Sequence, residues 1–121
     1  MASEQIDPWQ LFDIESIRTQ LAPGVVAYKE FLRVPSLHCG LYQLPKGAAD
    51  MQTPHEEDEV YYVLEGRAQM RLGSSEGSTV QAVKPGTVLH VQATETHSFF
   101  EIEEDMLLLV IFATNAPGAG A

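Results

Sequence analysis

The sequence predicts an all-β fold, a barrel or sandwich of short strands behind a short N-terminal arm, and three observations carry that expectation. Between Pro23-Gly24 and Pro117 the chain breaks into short apolar runs punctuated by Gly, Pro and Ser. Turn signals recur roughly every eight to twelve residues, the rhythm of a sandwich or barrel. The one plausible helical signal, Asp7 to Leu21, spaces Trp9, Phe12, Ile14, Ile17 and Leu21 irregularly, so at most a short helical turn is expected there.

In chain order, residues 1–24 form the arm, and Pro23-Gly24 turns it into a first strand, Val25 to Arg33. Cys39 to Leu44 follows and stops at Pro45-Lys46-Gly47. Val60 to Glu65 and Arg67 to Leu72 are divided by Gly66, and the second ends in the break from Gly73 to Gly77. Thr79 to Val83 ends at Pro85-Gly86, which cannot continue a ladder. Val88 to Gln92, His97 to Glu103 and Leu107 to Phe112 complete the barrel over residues 25–114, with Ala93 to Thr96 as the break between the first two. The tail NAPGAGA, residues 115–121, is small and flexible in composition. Val60 to Leu64 and Leu107 to Phe112 are apolar at nearly every position, so both faces of these strands are expected to be covered. The arm with Trp9 and Phe12, or a second subunit in a homodimer, would supply that cover.

At 121 residues the chain suits one domain with one core. The formal net charge is −10, from 17 acidic against 7 basic side chains, and no Lys/Arg cluster occurs. Nucleic acid and anionic membranes are therefore disfavoured partners. The start MASEQIDPW has no basic region followed by an apolar one, and the longest apolar run, Met106 to Ala113, is too short to span a bilayer. A cytoplasmic protein is expected. The single cysteine, Cys39, has no partner for an internal disulfide and reads as small core filler.

The chemistry concentrates in GAADMQTPHEEDEVYYVLEG, residues 47–66, where His55 and Glu59 stand four apart around an acidic turn. If His55 ends one strand and Glu59 begins the next, imidazole and carboxylate face the same interior and make good ligands for a divalent first-row metal. His97, which opens a later strand after a turn, is the candidate third ligand. Read without further information, the same charge run is a solvated acidic loop.

The stretch resembles the first cupin motif, G-x5-H-x-H-x3 or 4-E-x6-G: Gly47, Thr53, His55, Glu59 and Gly66 fall at its spacings, with Thr53 in place of the first histidine. The second motif, G-x5-P-x-G-x2-H-x3-N, is similar to Gly86, Gln92, Thr94, His97 and Glu101, with only the glycine at its start and the histidine retained. The resemblance runs over roughly residues 40–112. It implies a cupin, that is, a double-stranded β-helix or jelly-roll barrel, with one divalent ion (Fe, Mn, Ni, Cu or Zn) on His55, Glu59 and His97. Thr53 and Gln52 are additional candidates near the missing ligand. Two histidines and one carboxylate leave the ion open to water, substrate or dioxygen.

Glu56, Glu57 and Asp58 read as turn residues at the barrel mouth, where they attract cations and repel anions. His38, His90, Tyr42 and Phe99 are weaker candidates for the cavity wall, and Tyr61 shares the parity of Glu59. The resemblance implies a small-molecule enzyme of the dioxygenase, isomerase or lyase type. The alternatives are a non-catalytic ligand- or metal-binding barrel, and a metal-free barrel using His55, His97 or Tyr61 for proton transfer.

Overall fold

The computed structural model describes residues 8–50, 52, 54–73 and 77–114. One short helix, α1 (Ile14–Arg18), precedes eight strands: β1 (Ala27–Val34), β2 (Leu37–Leu44), β3 (Glu59–Glu65), β4 (Ala68–Leu72), β5 (Thr79–Val83), β6 (Val88–Val91), β7 (His97–Phe100) and β8 (Met106–Ala113). Every expected strand is present, and the fold is all-β. The strands pair antiparallel into a five-stranded sheet, in the order β1-β2-β8-β3-β6, and a three-stranded sheet, in the order β5-β4-β7.

Alternation puts one face of each sheet on a shared core. On β3 the buried residues are Glu59, Tyr61 and Val63, set opposite Phe112, Val110 and Leu108 of β8. From the other sheet come Ala68 and Met70 of β4 and Phe99 of β7. Gly66, which separates β3 from β4, has φ +93°, and a Cβ there would meet the Asp105 carbonyl oxygen at 2.4 Å. Only glycine fits that corner.

A second cluster lies on the outer face, where Ile17 and Leu21 pack on Leu41 and Leu107. Asp13 caps α1 by accepting from the Ser16 amide at 3.1 Å, and Arg18 pairs with Glu65 at the end of β3. Burying Ile17 and Leu21 contributes on the order of 2 kcal/mol each, which docks a helix too short to stand alone.

Three boundaries and one packing expectation need correction. The strand opening at His97 ends at Phe100, not Glu103, because Glu101 is left-handed (φ 47°) and turns the chain out of the ladder. The strand before Pro45 starts two residues earlier than expected, at Leu37. His55 does not end a strand: β2 stops at Leu44, and His55 sits in the following loop directly after Pro54, which has no N–H to offer a ladder. Among the described residues the arm covers the outer face of β3 and β8 near Leu107 and Leu64, through Ile17 and Leu21 rather than Trp9, which is 74% exposed; Tyr62 is exposed. The tail from residue 115 lies outside the described residues, as does Thr53.

Candidate metal centre and its cavity

Glu59 is the first residue of β3 and His97 the first of β7, so each sheet contributes one side chain to the space between them. Both are buried, at 2% and 4% exposure. Glu59 Oε1 lies 3.0 Å from His97 Nε2, but off the line an N–H···O bond needs, and among the described residues that oxygen has no hydrogen-bond partner.

The surrounding hydrogen bonds fix where the protons are. Asp50 only accepts: from the Tyr42 hydroxyl at 2.6 Å, the Gln52 amide at 2.7 Å and the Phe99 backbone N–H at 2.8 Å. With its NH2 on Asp50, Gln52 turns its carbonyl oxygen to the Tyr61 hydroxyl, which donates at 2.9 Å. That uses the only proton of Tyr61, so its oxygen accepts from His97 Nε2 at 3.0 Å. His97 Nδ1 donates to the Glu95 carbonyl at 2.8 Å. His97 thus donates from both nitrogens and is the imidazolium partner of Glu59.

Burial alone would lower the His97 pKa. The Glu59 carboxylate at Nε2, the Glu95 carbonyl on Nδ1 and the charges of Glu59 and Asp50 outweigh it and hold the pKa above the ordinary value. Burial, then the Glu59 charge, pushes the Tyr61 hydroxyl far up, and burial does the same for Tyr42, with Asp50 reinforcing it. Both phenols keep their protons.

His55 completes the sequence-predicted trio only in part. Its ring centroid is 6.3 Å from that of His97, whereas two imidazoles on one ion at right angles sit about 4.6 Å apart. Among the described residues no group of three His, Cys, Asp or Glu side chains is arranged to hold an ion. The Glu59–His97 pair does fit one: two donors each about 2.1 Å from an ion, at right angles, lie about 3.0 Å apart. A cation held by this pair would satisfy the Glu59 oxygen that lacks a hydrogen bond.

A cavity of about 370 Å³ opens beside Glu59, and His55, Gln52, Tyr42 and Tyr61 also line it. His38 also lines it, stacked on Phe112 at 4.7 Å, with its Nε2 2.9 Å from Glu57. His90 does not: it is exposed on the outer face and paired with Asp58 at 3.2 Å. Phe99 is core, edge-on to Tyr61. Gln52 faces the cavity as a relay between Asp50 and Tyr61. Glu57 and Asp58 work as more than solvated turn residues, since Asp58 also accepts from the Ala93 amide at 2.9 Å. Cys39 is buried. Sequence reasoning missed Asp50, Glu30 and Arg33; their partners lie across the fold, or belong to a wall whose place in the barrel is not a local property.

The family profile described as a cupin domain matches residues 40–112. The chain belongs to the cupin family. An uncharacterised protein of Streptomyces coelicolor is 38% identical to this cupin over 102 residues, 84% of this chain and 93% of that protein. The crystal structure of TT1209 from Thermus thermophilus is 25% identical, with a TM-score of 0.70, over 87% of this chain and 97% of that one. A structure of Fe(II)-HppE with an alternative substrate is similar in fold, with a TM-score of 0.60 and 22% identity over 70% of this chain and 48% of that one. Among the described residues of this cupin no helix is long and apolar enough to cross a membrane.

Thr94 and Glu101 acquire a meaning from the family pattern. They stand where the second motif has Gly and Asn, and both are left-handed, at φ 69° and 47°. The backbone keeps the turn while the side chains no longer suit it.

Proposed function

We propose that this cupin is a metal-dependent enzyme acting on a small organic molecule, of the dioxygenase, isomerase or lyase type, with one divalent ion (Fe, Mn, Ni, Cu or Zn) on Glu59, His97 and His55. The observation that carries this is the buried carboxylate oxygen of Glu59, which accepts no hydrogen bond among the described residues and lies 3.0 Å from His97 Nε2, a second donor atom for an ion. Such an oxygen is expensive to bury unless a cation takes it. The iron named with HppE, a barrel of similar fold, is further support. When bound, the ion would supply Lewis acidity or redox chemistry.

The chain's own residues do the rest. Asp50 fixes Gln52, Gln52 fixes the Tyr61 proton, and the Tyr61 oxygen faces His97 Nε2, so the side chains around the site are held before substrate arrives. Phe112, Val110 and Tyr61 give the cavity a dry wall. The doubly donating His97 beside Glu59 supports a second reading, a metal-free barrel in which this pair moves a proton. Elemental analysis of protein grown with supplemented metals separates them: about one divalent ion per chain supports the first reading, and none supports the second.

The same reading includes a cytoplasmic homodimer binding neither nucleic acid nor membrane. Support for the dimer comes from exposed apolar side chains on a chain of net charge −10: Trp9 and Leu11 on the arm, and Tyr62 and Val88 on the outer sheet face. Val88→Asp with Tyr62→Asp should convert a dimer to monomer by light scattering; an unchanged mass would remove this face from the account.

A further inference from the structure

We propose that the cavity takes a small organic amine, with the amino group at the outer end beside His38 and Glu30, and turns carboxylates away. This rests on the reading of the cavity as a substrate site and names the substrate class.

The hydrogen-bond roles at the outer end are the first reason. Glu57 can only accept, so His38 Nε2 donates to it at 2.9 Å. The tautomer with its proton on Nε2 leaves Nδ1 as an acceptor, and no donor among the described residues reaches it. The nearest charged atom is Glu30 Oε1, itself an acceptor, 3.5 Å away. His38 is only 9% exposed and lines the cavity, so a donor for Nδ1 has to come from inside the cavity. An amine or ammonium supplies one; a carboxylate supplies a third acceptor among three.

Charge is the second reason. At this end Glu30 lines the cavity and Glu57 backs His38, and Arg33 is the cationic lining residue among the described ones. Arg33 is occupied: its Nε and Nη2 donate to the two carboxylate oxygens of Glu30 at 2.9 and 2.6 Å. A ligand carboxylate would have to displace Glu30 to reach it, whereas a ligand cation meets negative charge along the wall.

The body of the ligand is set by the rings. Phe112 is stacked with His38 on one side and meets His55 edge-on at 4.9 Å on the other, and Tyr28 and Tyr42 face each other across β1 and β2 at 6.3 Å. These surfaces suit a flat apolar group and favour a cation over an anion. The volume of about 370 Å³ holds about a dozen water-sized groups at ~30 Å³ each, enough for a substituted single ring.

Benzylamine, benzyl alcohol and benzoate, similar in size and different in charge, test this by calorimetric titration of the full chain, zinc-loaded and chelator-treated. Benzylamine is expected to bind at least tenfold more tightly than benzoate in the chelator-treated sample, where no ion offers a carboxylate a ligand site, with benzyl alcohol between them. His38→Phe keeps the stack on Phe112 and removes the acceptor; Glu57→Gln removes a charge from a partly exposed site and serves if the first variant misfolds. Either should cut the preference severalfold. Benzoate binding as tightly as benzylamine in that sample, or no binding of any of the three at millimolar concentration, overturns the proposal. Failure to take up zinc overturns the metal reading instead, and leaves the amine preference to be read from the chelator-treated sample.

Discussion

Across the gap between the two sheets, Glu59 Oε1 and His97 Nε2 face each other at 3.0 Å, and the Glu59 oxygen has no hydrogen bond. In the metal-free molecule a proton on Nε2 balances the carboxylate charge. An ion at the same place would displace that proton and satisfy both atoms. Everything else in the site holds these two atoms in position.

Asp50 is the anchor of that arrangement. Asp50→Ala removes the acceptor from Tyr42, Gln52 and the Phe99 amide at once, and unfolding by denaturant should show a loss of about 2–4 kcal/mol. Asp50→Asn, which keeps one acceptor oxygen, should lose less. Equal stability of the alanine variant and the parent would mean that these bonds do not form in solution.

The left-handed residues offer stability in return for small changes. Thr94→Gly and Glu101→Asn place at φ 69° and 47° residues that accept that conformation, and each should raise stability by about 0.5–1 kcal/mol. Thermal melts of the two single variants and the double variant check this; the gains should add, since the sites lie at opposite ends of β7.

Two glycines should respond differently to a methyl group. In Gly66→Ala the new Cβ meets backbone at Asp105 and Met106, which cannot move cheaply, so a loss of about 3 kcal/mol or more is expected. In Gly40→Ala the Cβ meets the Tyr28 ring at 2.3 Å, the far end of a side chain that can swing. That variant should fold with a smaller loss while altering the cavity wall, read as weakened benzylamine binding.

Acid should loosen the entrance to β3. The Asp58 pKa is lowered by the Ala93 amide first and His90 second, so its carboxylate is favoured in the folded state. A depressed carboxylate pKa contributes stability above the unfolded value, lost as pH falls through the folded value. Stability should therefore fall below about pH 4, and Asp58→Asn should flatten part of that acid limb in a pH series of melts.

The eight strands were legible because their signals are local: apolar runs, and Gly or Pro where a ladder must end. His55, Glu59 and His97 were picked out as candidate ligands by spacing, and the structure places Glu59 and His97 3.0 Å apart. What spacing could not convey is that Pro54 leaves His55 on a loop, so its ring stands apart from His97. Asp50 carried no signal, because two of its three partners, Tyr42 and Phe99, lie 8 and 49 residues away along the chain and only folding brings them to it. His38 was one of several histidines of equal standing until the register of β2 against β8 placed it opposite Phe112, on the cavity side. His90, paired opposite Val60, fell on the other face of the same sheet.

The most direct test is a titration of metal-free protein with Fe(II), Mn(II), Ni(II), Cu(II) and Zn(II), comparing the parent with Glu59→Gln, a near-isosteric change that removes the charge. The account predicts about one tightly held ion per chain for at least one metal, a raised melting temperature on loading, and a loss of at least a hundredfold in affinity in the variant. Parent protein that binds none of the five, or a variant that binds as tightly as the parent, would contradict it.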